Sequence, residues 1–161
     1  SGYNRQPDYE VKAELLANSR YLFLKLEVND SELVSYHPDE RMYEDDSLEV
    51  YIDSPDNKFA WGGADDYQVI LSPAPGGGVR MREFFHPERT AAACRIVDSS
   101  VTAGGYQAVL ALERAGFGLG DGRIGFSLAA RNIDRVLDSD AKFNWFFLEP
   151  ATYLGGIQIK K

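Results

Sequence analysis

The sequence predicts an all-β fold, an antiparallel β-sandwich of the jelly-roll kind with about nine strands. Three observations predict it. Apolar and polar residues alternate with period two in segment after segment. Clusters of Gly, Pro, Asn and Asp separate those segments, and no run of ten residues carries an amphipathic helical pattern. Alternation implies one wet face per strand, which suits antiparallel pairing. With 161 residues and 44% hydrophobic content, the chain is expected to be one domain over 1–161 with a core of its own.

Each expected element follows from that period. Tyr9, Val11, Ala13 and Leu15 alternate with Glu10, Lys12 and Glu14, and Asn18-Ser19 ends the run. Leu22, Leu24, Leu26 and Val28 form the next apolar face. Leu48, Val50 and Ile52 form a third, which leaves Glu49, Tyr51 and Asp53 on the opposite side. Further strands are expected at Tyr67–Leu71, Val79–Phe85, Arg95–Val97, Tyr106–Leu112, Ile124–Ala130 and Gly156–Ile159. The best helical segment, Glu113–Leu119, is limited to about one turn by Gly116 and Gly118. The long polar connections Ser31–Asp45 and Asn132–Asn144 are where a sandwich would carry a binding site.

Composition removes several functions. A formal charge of -8 argues against a nucleic-acid surface, since phosphate binding needs clustered Lys and Arg, and Arg80, Arg82, Arg89 and Arg95 lie dispersed among acids and aromatics. No apolar run is long enough for membrane insertion in this segment. The single cysteine, Cys94, allows no intrachain disulfide and reads as a small core residue. His37 and His86 each precede proline and read as surface turn residues, without a nucleophile elbow or a zinc set. The glycine-rich pieces at 75–78 and 116–120 lack the lysine of a phosphate loop.

The segment with most chemistry is Glu44-Asp45-Asp46-Ser47-Leu48-Glu49-Val50-Tyr51-Ile52-Asp53, which opens on a loop and becomes a strand at Ser47. Alternation alone leaves its polar face as an ordinary solvated one. Aligned carboxylate and phenol groups are also how sugar hydroxyls are gripped. Trp145, among Phe143, Phe146 and Phe147, is either core or an exposed platform, and Trp61 lies in a glycine-flanked turn as a second platform or a rim residue.

This acidic block, with Tyr21–Asp30 before it, resembles the core of family 9 carbohydrate-binding modules. The resemblance continues through Asp65-Asp66-Tyr67-Gln68, Gly105–Val109, Ile124–Leu128 and the segment from Trp145 to Ile159. It implies a non-catalytic module that binds a polysaccharide or oligosaccharide, outside the cytoplasm (extracellular or periplasmic), as part of a larger protein. Its two clamping aromatics would correspond to Tyr43 and Trp145, and its hydrogen-bonding glutamate to Glu49. A further polar contact would come from Arg131, Arg135 or Lys142. Structural calcium in the family makes Asp45, Asp46 and Asp66 candidate ligands. The chain departs from the pattern in having Tyr43 where Trp is usual, Ile70 where some members carry a basic residue, and Arg131-Asn132 for an Asn-Asp pair. The family's opening strand has no counterpart before Tyr9.

Rival readings are weaker. A glycosidase needs two carboxylates about 5–10 Å apart, one of them with a raised pKa, and the sequence places no acid in an apolar pocket. A haem sandwich would pair Met42 or Met81 with His37 or His86, but five residues separate Met81 from His86, which sets them on opposite faces of a strand. A sensory or scaffolding sandwich without a sugar stays open.

Overall fold

The computed structural model describes residues 9–54, 63–85, 87–90, 92–120, 122–133, 144–145 and 155–159. Within them the strands are β1 (Glu10–Ala17), β2 (Tyr21–Asn29), β3 (Ser47–Asp53), β4 (Asp66–Pro73), β5 (Val79–Phe85), β6 (Cys94–Thr102), β7 (Gly105–Glu113), β8 (Gly122–Asn132), β9 (Asn144–Trp145) and β10 (Gly155–Ile159). Among the described residues the only helical pieces are a 3₁₀ segment, Asp39–Glu44, and a four-residue α-helix, Pro87–Thr90. The expected strands are present, and the two-residue β9 is an addition.

The strands form two antiparallel sheets. One has four strands in the order β1-β2-β7-β6; the other has six, β10-β8-β3-β4-β5, with β9 also pairing β8. Strands adjacent in sequence pair as β1–β2, β3–β4, β4–β5 and β6–β7, whereas β2–β7 and β3–β8 join distant segments. The alternation read from the sequence sorts the faces as expected. Leu24 and Leu26 of β2 meet Leu48, Val50 and Ile52 of β3 in one core that also holds Val69, Leu110 and Phe117. Each fully buried aliphatic or aromatic side chain contributes roughly 1.5–3 kcal/mol.

Glu113–Leu119 is indeed a single turn, closed by the Phe117 N–H donating to Glu113 O at 3.2 Å and the Leu119 N–H to Arg114 O at 2.7 Å. It drops Phe117 into the core edge-on to Tyr67, with ring centroids 5.1 Å apart. The buried Arg114 guanidinium donates to Leu119 O at 3.2 Å, Asn18 O at 2.9 Å and Gly120 O at 2.8 Å, so one cation ties two turns together. Cys94 is buried as expected, with Sγ 3.3 Å from Met81 Sδ.

At the β6–β7 hairpin Gly105 takes φ +138°, and a Cβ there would lie 1.9 Å from Val28 O. Neither the dihedral nor the space admits a side chain. Gly105→Ala is therefore expected to destabilise the fold by about 2–4 kcal/mol in urea denaturation, whereas Gly104→Ala, whose Cβ meets nothing within 4 Å, should cost far less.

Candidate functional site

The six-stranded sheet turns its core side chains toward the four-stranded one, which leaves a second face outward. Alternation and register place Glu49 and Tyr51 of β3 there. Beside them lie Gln68 and Ile70 of β4 and Ser127, Ala129 and Arg131 of β8. Solvation was the sequence expectation for this face, and burial is the finding: Glu49 is 3% exposed, Ile70 1% and Arg131 7%. The physical reason is the connection from β2 to β3. Its 3₁₀ segment packs against β3 and β4 and buries Met42 completely.

Two adjacent carboxylates fasten that connection. Asp46 accepts the Val34 N–H at 2.5 Å on one oxygen and the Ile133 N–H at 2.6 Å on the other, joining the connection to the end of β8. Asp45 accepts the His37 N–H at 3.1 Å, lies 2.8 Å from His37 Nδ1 and takes Arg80 of β5 at 2.7 Å. Both carboxylates are fully buried, and donors replace the water they lost. His37 thus departs from the surface turn expected of it: its ring is part-buried between Asp45 and Glu44, with Nε2 3.7 Å from Glu44 Oε2. Met42 is fully buried beneath the connection, and the His37 ring faces Asp45 and Glu44, so the pairing of these two considered from sequence gains no support; His86 lies outside the described residues.

The floor of the face is a hydrogen-bond network. Gln68 Nε2 donates to Glu49 Oε2 at 2.6 Å and contacts the Tyr51 hydroxyl at 3.2 Å, and that hydroxyl donates to the same carboxylate oxygen. Burial pushes the Glu49 pKa above its usual range, while the two donors and the charge of Arg131 pull it partly back. Burial likewise raises the Tyr51 phenol, with the adjacent Glu49 adding to it. Arg131 donates to Tyr43 O at 2.7 Å. Its guanidinium pKa is lowered by burial against the fields of Glu44, Glu49, Asp45 and Tyr36. The Tyr43 ring is 36% exposed and stands edge-on to Phe84, with centroids 5.7 Å apart.

Of the sequence-derived site residues, Tyr43, Glu49 and Arg131 are brought together. The backbone of Trp145 pairs with Arg131 in the β8–β9 ladder. Trp61, Arg135 and Lys142 lie outside the described residues. Tyr51 stands on the face where aligned carboxylate and phenol groups were expected to grip hydroxyls; Gln68 joins it through the register, as its direct cross-strand partner. The candidate calcium ligands have protein partners in this structure. A calcium ion takes about six to eight oxygens, yet Asp45 and Asp46 turn theirs to protein donors, Asp66 accepts the Gly63 N–H at 2.7 Å, and no metal-holding group of three His, Cys, Asp or Glu forms among the described residues.

Glu49 gives the site a pH signature. Its folded pKa lies above the free value of 4.5, so protonation favours the fold. Its contribution is complete below the free value and is lost as pH rises through the raised one. Glu49→Gln, which never ionises, is therefore expected to gain stability over the wild type as pH rises, and to converge with it in acid. Thermal melts between about pH 4 and 8 check this, and a pH-independent difference would contradict it.

Known proteins agree with this architecture. Residues 2–114 match the family described as "Carbohydrate family 9 binding domain-like". A family 9 carbohydrate-binding module of Caldicellulosiruptor kristjanssonii, solved with cellotriose, superposes with a TM-score of 0.64 at 17% identity, over 90% of this chain and 66% of its own. The same organism's module with glucose gives 0.65 at 16% identity, over 90% and 67%. A third structure, from Bacteroides uniformis, gives 0.55 at 13% identity, over 98% and 82%. The chain thus spans about two-thirds of the length of the two Caldicellulosiruptor chains. No curated protein sequence matches it significantly. With the family match covering most of the chain, the protein belongs to the carbohydrate family 9 binding domain-like family.

Proposed function

We propose that the outer face of the six-stranded sheet binds a sugar ring without transforming it. The observation that carries this reading is the Glu49–Tyr51–Gln68 network beside Arg131, which donates to the backbone carbonyl of the partly exposed Tyr43. A carboxyl group, a phenol, an amide and a guanidinium together offer donors and acceptors to a polyol. An aromatic ring matches the apolar face of axial C–H bonds on a pyranose. Trp145, the register partner of Arg131, is the expected second ring of the clamp. Neutral, multi-hydroxyl recognition of this kind gives a Kd in the micromolar to millimolar range, about −4 to −8 kcal/mol.

The same charges favour binding without turnover. A glycosidase would need a second carboxylate free to act with Glu49. Glu44 is instead held by two guanidinium nitrogens of Arg41 at 2.7 and 2.6 Å, and Asp45 by Arg80 and His37. The module would serve outside the cytoplasm, extracellular or periplasmic, as one part of a larger protein that its ligand brings to a polysaccharide.

Calorimetric titration with a panel of sugars that includes glucose and cellotriose tests the reading. The wild type is expected to bind saturably. Tyr43→Ala and Trp145→Ala are each expected to weaken binding about tenfold or more, with the Tyr43 variant melting near the wild-type temperature because its ring is a rim group. No heat across the panel would sink the proposal and leave a sensory or scaffolding sandwich as the better account.

A further inference from the structure

Tyr36 is a second exposed aromatic on the β2–β3 connection that the site described so far does not use. Its side chain is 49% exposed, more than that of Tyr43. It is held all the same. The Tyr36 ring lies on the His37 ring with centroids 4.0 Å apart and planes tilted by 35°. His37 in turn is fixed by buried Asp45, and Asp45 by Arg80. An exposed ring seated on a buried ionic chain has little freedom to lose on binding, which is the condition for a good stacking platform.

Its neighbours are those of a sugar subsite. Arg41 and Glu44 form a bidentate pair, and Arg41 is half-exposed, so the fork keeps donors for solvent or ligand. His37, on which the Tyr36 ring lies, brings Nε2 to 3.7 Å from Glu44, and Glu44 follows Tyr43 directly in the chain, so the two tyrosines flank the same Arg41–Glu44 pair. We propose that Tyr36, with the Arg41–Glu44 pair, forms a second sugar-ring subsite adjoining the one at Tyr43, Glu49 and Arg131. The site then takes a linear oligosaccharide, with Tyr36 stacking on the ring next to the one in the clamp. This rests on the sugar-binding reading above and adds to it the length of the ligand. The polar cleft at the far end of the four-stranded sheet is a poorer candidate, because several of its polar side chains already have protein partners. Asn29 Nδ2 donates to Glu10, Glu27 is paired with Lys25, and Thr102 Oγ1 is bonded within its own turn.

The test compares glucose with cellotriose by calorimetry on the wild type, Tyr36→Ala and Tyr36→Phe, each first checked for a wild-type melting temperature. The wild type should bind cellotriose about tenfold more tightly than glucose, the ordinary worth of one stacked ring. Tyr36→Ala should erase that advantage and leave glucose affinity within about twofold, whereas Tyr36→Phe should keep it, since the ring and not the hydroxyl makes the contact. Equal affinity of the wild type for both sugars would overturn the second subsite, as would a Tyr36→Ala variant that keeps the advantage or loses glucose binding in parallel. A wild type that binds neither sugar would overturn the primary site instead, so the two failures are told apart.

Discussion

A carboxylate taken out of water is stable only where protein donors replace its hydration, and this fold stations two such groups side by side. Asp45 and Asp46 end the β2–β3 connection and point to different partners: one to His37 and Arg80, the other to the N–H groups of Val34 and Ile133. Leaving one side of a buried pair like Asp45–Arg80 unmet costs about 3–5 kcal/mol. That penalty is what fixes the connection in a single path over the sheet. Everything on the outer face depends on that path: the burial of Glu49, the seat of Tyr43 over Arg131, and the footing of Tyr36.

The result is a face that is polar yet largely dry. Glu49, Tyr51 and Gln68 satisfy one another, so their geometry is set before any ligand arrives. A ligand hydroxyl that enters exchanges water for groups already in place and spends little on ordering them. The same dryness draws the Glu49 proton on more firmly and weakens the hold of Arg131 on its own. The carboxyl and guanidinium groups of the floor therefore share one cause for their altered chemistry, which is the covering connection.

Much of the fold was legible in the sequence because a strand with one buried face must alternate. Leu48, Val50 and Ile52 showed the inner face of β3, and Glu49 and Tyr51 the outer, before any pairing was known. What alternation cannot supply is register. Gln68 opposite Tyr51 and Arg131 opposite Ser47 are properties of two strands together, and no local pattern in either one carries them. The loop was less legible still. A His-Pro step reads as an exposed turn, and only the tertiary position of Asp45 makes His37 a part-buried partner. Asp45 and Asp46 anchor protein N–H and guanidinium groups, and two of their donors, Arg80 and Ile133, lie too far along the chain for a local pattern to show. The 3₁₀ turn at Asp39–Glu44 was hidden by its polar composition and takes its shape from the packing of Met42.

The proposed sugar site lies on the outer face of the six-stranded sheet, beside the β2–β3 connection. Two-dimensional amide NMR of the labelled protein, titrated with cellotriose, reads that position directly. The account predicts shifts concentrated at residues 36–49, at Gln68 and at Arg131, with the amides of β1 and β6 in the other sheet unmoved. Shifts centred on the four-stranded sheet, or none at saturating sugar, would contradict it.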